Sequence, residues 1–272
     1  MKCKSKVTKI PYFTNNNITI ADIFCGSDFC VVYDELGLPY SWGNNTHGQL
    51  ARQTENEYAS IPGEASLLID FGVPSKFVCG WMHAALLSKT GDVFIWGNPF
   101  YDYDKSVKDI KIPSQLQLNT KCIDLSSGFH HLALIGVSND LFELYTFGMN
   151  DFGQCGIKSE DIFVMQPIKV SFPESAPNSI NEAVCGAFHT ICWMKGDVLY
   201  GFGQNDHQQV GNYEAEVLDY PVLVNWGCRK DGKFLKEIIC GNAFTYLVKS
   251  ISKEGVVKDV VEMKEKYRKV SV

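Results

Sequence analysis

Apolar residues in this chain come in short runs of β-branched and aromatic side chains, cut at close intervals by glycine and other turn formers. Phe77-Val78-Cys79, Ala84-Ala85-Leu86-Leu87 and Phe94-Ile95-Trp96 are three such runs. Ser88-Lys89-Thr90-Gly91-Asp92 and Lys195-Gly196-Asp197 read as hairpin turns, with glycine supplying positive φ. No long stretch keeps a 3.6-residue apolar period, and only Glu262 to Lys269 reads as a short helix. The pattern predicts an all-β chain.

The runs repeat. Ile23-Phe24-Cys25-Gly26, Phe77-Val78-Cys79-Gly80, Leu125-Ser126-Ser127-Gly128, Ala183-Val184-Cys185-Gly186 and Ile238-Ile239-Cys240-Gly241 each open an equivalent segment. Their glycines lie 54, 48, 58 and 55 residues apart, taken as successive differences of residue number. A period near 50 indicates propeller blades or a solenoid array. A second element follows at a fixed distance, an apolar strand ending in an aromatic-Gly pair: Trp42-Gly43, Trp96-Gly97, Phe147-Gly148 and Phe202-Gly203. In the fifth repeat Gly255 to Val260 takes this place without the aromatic-Gly ending. A third element, a polar turn, follows in three repeats: Asn44 to Leu50, Met149 to Gly156 and Gln204 to Gly211.

A four-stranded sheet cannot bury both faces alone, but sheets packed radially bury each other's faces and leave short edges. The recurrent glycine is expected to let the chain turn where backbones crowd near the axis. The cysteine before it, present in four of the five repeats, suits a small buried position. The aromatic residue before each second glycine is expected to wedge between neighbouring blades.

Three motifs in fixed order resemble the repeat of the regulator of chromosome condensation (RCC1) family. That repeat combines a small-Gly-x-x-His strand, a strand ending Trp-Gly, and an Asn-x-x-Gly-Gln-Leu turn. The resemblance covers residues 20 to 261, with Cys79 to Gly97 and Trp42 to Leu50 as the nearest matches. It implies one RCC1-like β-propeller over 1-272, with repeats at 20-60, 61-107, 108-165, 166-218 and 219-261 and a charged tail at 262-272. The family usually has seven blades. Five four-stranded blades are expected here, or six with residues 1–20 contributing. The linkers at 98–121 and 156–182 are too short for another blade. Residues 7–13 or 256–261 are expected to complete a blade and close the ring, as a terminal strand does in the family.

Formal net charge is −6, so no global field draws the chain to nucleic acid, and the basic residues at its two ends read as solvated tails. No apolar run has the length needed to cross a bilayer, and nothing resembles a secretory leader. The ten cysteines are therefore expected to be reduced, in the cytoplasm or nucleus. No Cys-x-x-Cys pair, phosphate loop, nucleophile elbow or His-Glu-x-x-His helix occurs. The expectation is a protein that is not an enzyme, with no catalytic residue, metal or cofactor. In a propeller Cys25, Cys79, Cys185 and Cys240 would share one place near the axis, and core packing explains their repetition better than a metal. His83, His131 and His189 share one repeat position that Phe29 and Phe244 fill elsewhere, so that position is structural.

The two residues after each glycine remain. The resemblance places them on one propeller face, around the channel mouth: Ser27-Asp28, Trp81-Met82, Phe129-His130, Ala187-Phe188 and Asn242-Ala243. Trp81, Met82, Phe129 and Phe188 would form an apolar patch edged by Asp28 and His130, with Asn242 in the fifth repeat. An exposed aromatic cluster of this kind binds partners; the opposing reading has the rings filling the channel. The main expectation is a scaffold or regulatory subunit that docks a protein partner. The alternative, implied by the founding family member, is an exchange factor for a Ran-like small GTPase, with Tyr101 to Asp104 as the candidate wedge. Gly80-Trp81-Met82-His83 is also similar to the sensing motif of the family's plant photoreceptor, whose mechanism needs several packed tryptophans. Other relatives pair with chromatin- or tRNA-modification-associated proteins.

Overall fold

The computed structural model describes residues 7–100, 108–138, 141–159, 161–212, 215–226 and 234–250. The first antiparallel sheet contains β1 (Ile20–Cys25), β2 (Phe29–Asp34), β3 (Pro39–Asn44) and β4 (Tyr58–Glu64), in that spatial order. The second repeats the order with β5 (Lys76–Cys79), β6 (His83–Leu87), β7 (Val93–Gly97) and β8 (Ile110–Gln115). The third holds β9 (Lys121–Ser127), β10 (His131–Ser138), β11 (Leu141–Met149) and β12 (Phe163–Lys169). The fourth holds β13 (Ile180–Cys185), β14 (His189–Met194), β15 (Val198–Gln204) and β16 (Val217–Leu223). Among the described residues the fifth sheet has two strands, β17 (Phe234–Cys240) and β18 (Thr245–Ser250).

The fold is the all-β propeller architecture that the repeats predict. The linker at 98–121 carries β8, the outer strand of the second sheet. Each sheet accordingly ends later than the repeat boundaries at 107, 165 and 218, because β8, β12 and β16 pair back onto the sheet before them. The expected strand at 256–261 and the helix at 262–269 lie outside the described residues.

The second strand of each of the first four sheets is buried along nearly its whole length. Such a strand reads as a continuous apolar run because both of its faces are covered. Ala84 and Leu86 pack towards the first sheet, whereas Ala85 and Leu87 pack towards the third. Ile191 and Trp193 likewise pack against Leu235 and Ile238 of β17, while Cys192 and Met194 face the third sheet. Four apolar layers thus join five sheets in chain order. The wedging aromatics behave as expected: Trp96, Phe147 and Phe202 each fill the layer shared with the preceding sheet.

Among the described residues no preceding sheet packs on the first sheet, and residues 11–15 take that place. They form a short helix, α1 (Pro11–Asn15), rather than the strand expected at 7–13. Proline at the first helical position favours this, since its missing N–H costs nothing there. Phe13 of α1 packs edge-on against Tyr40 at 5.9 Å and Trp42 at 5.7 Å, over Val32. On the fifth sheet, Ile239, Phe244, Tyr246 and Val248 are exposed. Tyr246 and Val248 stand where Ile191 and Trp193 meet the next sheet in the fourth repeat.

The recurrent glycines sit where backbones crowd, as expected: a Cβ on Gly26, Gly128 or Gly186 would come within 2.5–2.7 Å of the next sheet's glycine carbonyl. The aromatic ring three residues on adds a second cause, and no left-handed turn is involved. Gly26, Gly80, Gly128, Gly186 and Gly241 do not adopt positive φ. A Cβ on Gly80 would lie 2.1 Å from Cε1 of His83, three residues on, and the other four glycines have the same aromatic ring 2.0–2.1 Å away. Each ring lies over its glycine, so it is the missing side chain that selects glycine. Gly43, Gly97, Gly148 and Gly203 do need glycine's freedom, with φ between +94 and +113.

Candidate functional site: the axial face

All five glycine segments line one cavity of about 380 Å³ on the axis, together with Trp81, Phe129 and Asn242. Backbone bonds run around it from sheet to sheet. The Ser27 N–H donates to the Trp81 carbonyl (3.3 Å), Trp81 to Phe129 (2.9 Å), Phe129 to Ala187 (3.1 Å) and Ala187 to Gly241 (3.1 Å). These bonds fix the residue after each glycine and so fix where its side chain emerges.

A second series of bonds lies one layer in. His83 Nε2 meets Ser127 Oγ at 3.0 Å, His131 Nε2 meets Thr190 Oγ1 at 2.9 Å, and His189 Nε2 meets Thr245 Oγ1 at 3.0 Å. Each histidine clasps the next sheet. Phe29 and Phe244 fill the position in the first and fifth sheets, which supports the structural role given to it. Burial pushes His83 and His131 down to about 3 and His189 to about 4, so all three rings stay neutral at ordinary pH.

The three expected apolar rings meet. Trp81 and Phe129 pack edge to face at 4.8 Å, and Phe129 and Phe188 do the same at 5.4 Å. All three rings are half-buried, as is Met82. Trp81 and Phe129 line the cavity as well as showing on the face, so both readings of these rings hold in part. Asp28 and Asn242 are exposed in the first and fifth sheets, at the two ends of the series.

His130 departs from expectation. It does not edge the patch but is buried, stacked under Trp81 at 5.7 Å with 24° between the ring planes. Burial lowers its pKa to about 4, and hydrogen bonding to the Asn98 backbone offsets part of that shift. Its ring backs the Trp81 indole from inside. Phe152 was not among the expected residues, yet it continues the ring series, 5.3 Å from Phe188. The signal was available: Phe152 aligns with His47 and His207 in the polar turns of the other repeats. The candidate wedge, Tyr101 to Asp104, lies outside the described residues.

Deeper along the inner strands the axis is charged. Asp22, Lys76, Asp124, Glu182 and Glu237 occupy one register position, each three residues before its Cys or Ser. Lys76 pairs with Asp124. Burial, and then Asp124, raise the pKa of Glu182; Lys76 opposes the shift and Glu237 adds to it. A raised carboxylate pKa means that ionisation costs stability as pH rises through it. Glu182→Gln is therefore expected to melt above wild type at pH 7 and together with it near pH 4. Equal melting temperatures at both pH values would show Glu182 to be unstrained.

Among the described residues no group of three or more His, Cys, Asp or Glu side chains is arranged to hold a metal ion. None of their helices is long and apolar enough to cross a membrane.

Comparison with known proteins places this geometry. The family model "Regulator of chromosome condensation (RCC1) repeat" matches residues 37–87 and 143–193. Regulator of chromosome condensation from Xenopus laevis is 29% identical over 221 residues, 74% of this chain and 50% of that protein. The ultraviolet-B receptor UVR8 of Arabidopsis thaliana is 24% identical over 217 residues, 76% of this chain and 46% of the receptor. The chain spans about half the length of these curated relatives. Yeast RCC1 (Prp20), solved bound to Kap60, superposes with a TM-score of 0.74 at 18% identity, covering 88% of this chain and 56% of that one. Human WBSCR16 superposes at 0.70 and 18% identity, covering 85% of this chain and 59% of its own.

Proposed function

This chain belongs to the RCC1-repeat family, and from that membership and the ring geometry we propose that it is a non-enzymatic interaction module docking a protein partner on its axial face. The observation that carries the reading is the continuous series Trp81, Phe129, Phe188 and Phe152, half-buried on one face. Partly exposed aromatic rings held by rigid backbone are the side chains that dominate protein interfaces, because they bury much area at little entropy cost. Here the backbone bonds around the cavity supply the rigidity. A relative of the same fold is itself solved with a protein bound, yeast RCC1 with Kap60.

The test is quantitative affinity purification with wild type and with Trp81→Ala/Phe129→Ala. Truncating a hot-spot ring costs about 2 kcal/mol, so recovery of the partner is expected to fall about 30-fold or more. A melting temperature close to wild type must accompany the loss. Equal recovery by a folded variant rejects this face.

The second reading is regulation of a Ran-like small GTPase, supported by likeness to regulator of chromosome condensation over 74% of the chain. Nucleotide release from such a GTPase, measured with and without this protein, separates the two readings. Acceleration supports exchange activity, and an unchanged rate leaves docking as the function. Light sensing draws little support from the surroundings of Trp81, since the rings that pack on it among the described residues are Phe129 and His130, not tryptophans. A cytoplasmic or nuclear setting fits either leading reading.

A further inference from the structure

Cys25 and Cys30 face each other across the first hairpin. They are directly opposed in the register of β1 and β2, with the two Sγ atoms 3.4 Å apart. The neighbouring pair, Gly26 and Phe29, is the hydrogen-bonded one, with the Gly26 N–H donating to the Phe29 carbonyl at 3.0 Å. Cys25 and Cys30 therefore form the non-hydrogen-bonded pair, the type in which Cα atoms lie about 4.5 Å apart. A disulfide accepts Cα separations of about 4.4–6.8 Å, so small χ1 rotations bring the sulfurs to bonding distance without moving the strands. Cys25 is exposed and lines the axial cavity, whereas Cys30 is half-buried behind it.

We propose that Cys25 and Cys30 are a peroxide-responsive thiol pair that closes to a disulfide and fixes the Ser27-Asp28 end of the axial face. The exposed thiol reacts first. Cys25 Sγ, as thiolate, attacks one oxygen of hydrogen peroxide; an S–O bond forms, the O–O bond breaks, and the departing hydroxide takes a proton to become water. Cys30 Sγ then attacks the sulfenic sulfur; the S–S bond forms, the S–O bond breaks, and the second oxygen leaves as water with the Cys30 proton. Two thiols and one peroxide give one disulfide and two waters. Each sulfur is oxidised by one electron and the peroxide oxygens accept both.

The order follows from the surroundings. Burial, then the hydrogen bond with Cys25, pushes the Cys30 thiol up to about 12, so Cys30 is not the thiol that meets peroxide first. Once Cys25 is a sulfenic acid, Cys30 stands opposite it in register to close the bond. Cys79, the cysteine of the second sheet, is half-buried, with its pKa also raised, by desolvation first and then by Cys25 and Cys30. It is not the partner that geometry offers. The bridge would close a ring around Gly26, Ser27, Asp28 and Phe29, and the Ser27 N–H is the link to Trp81. Oxidation thus acts on the first-sheet end of the docking face, although the chemistry stands whether or not that face docks a partner.

The experiment treats the full chain with hydrogen peroxide, blocks remaining thiols with N-ethylmaleimide under denaturing conditions, and maps tryptic peptides. Residues 10–52 contain no internal lysine or arginine and hold Cys25 and Cys30 as their only cysteines. The expected result is that this peptide carries no maleimide, weighs two hydrogen atoms less than its reduced form, and regains both thiols with dithiothreitol. In Cys25→Ser the same treatment should leave Cys30 fully alkylated; in Cys30→Ser, Cys25 should stop at the sulfenic acid, trapped by dimedone. Two maleimides on the wild-type peptide, or a bridge from Cys25 to Cys79, would overturn the proposal.

Discussion

Lowering the pH from 7 to 5 is expected to cost this protein about 5 kcal/mol of stability, and about 10–20 °C in Tm. The cause is the set of buried clasps. His83 and His131, held down to about 3, and His189, held to about 4, are neutral in the folded state. In the unfolded chain a histidine titrates near 6.5. Between those values the unfolded state binds more protons, so stability is complete above about pH 6.5 and drains as pH falls. Each ring contributes up to about 1.4 kcal/mol per pH unit in that window, and buried His130, at about 4, adds to the slope. Thermal denaturation followed by circular dichroism across pH 5–7 checks this. His131→Phe, a ring this chain itself uses at Phe29 and Phe244, should lose the bond to Thr190 and melt lower at pH 7, yet show a slope shallower by about one proton. A wild-type melting temperature flat from pH 7 to 5 would mean the clasps titrate normally and are not buried as described.

Gly80→Ala is expected to destabilise by about 3 kcal/mol or more, a large cost for one methyl group. The added Cβ would stand 2.1 Å from Cε1, 2.6 Å from Nδ1 and 2.7 Å from Nε2 of His83. The ring cannot swing away without giving up Ser127 Oγ and opening the layer to the third sheet. His83→Ala removes the obstruction, so the double variant should lose clearly less than the sum of the two single losses. Urea titration of all four proteins measures that coupling. Additive losses would show that the ring does not select the glycine. By contrast, Gly72 has nothing within 4 Å of a built Cβ, and only its φ of +60 resists substitution. Gly72→Ala should cost about 1–3 kcal/mol as backbone strain that no neighbouring substitution relieves, which separates the two reasons for which this chain uses glycine.

Much of the architecture was legible because it repeats. A lone Cys-Gly-x-x-His says little, but five Gly-x-x-His or Gly-x-x-Phe segments near a 50-residue period, four of them followed by an aromatic-Gly strand, leave few alternatives to a propeller. Trp81 and Phe129 were legible for the same reason, one residue after the recurrent glycine, as was Phe188, two residues after it. Three features escaped that reasoning. His130 has the same offset as Met82 and Phe188, yet it lies under Trp81, because stacking against a neighbouring ring depends on the adjacent sheet. Phe152 joins the series from a different element, brought there by the polar turn that follows β11. Helix α1 belongs to no repeat, and a local pattern cannot show that the first sheet's open face needs covering.

The period of the strands and the order of the motifs were determined by the sequence alone, since each depends on residue type at a fixed offset along the chain; the placing of those residues on one face was implied by the family resemblance. Tertiary structure decided the rest: which residues of that face are exposed, why glycine recurs, and which cysteines stand opposite each other. Those outcomes depend on contacts between residues some 50 positions apart, or on strand register, where a shift of one place turns a side chain to the other face.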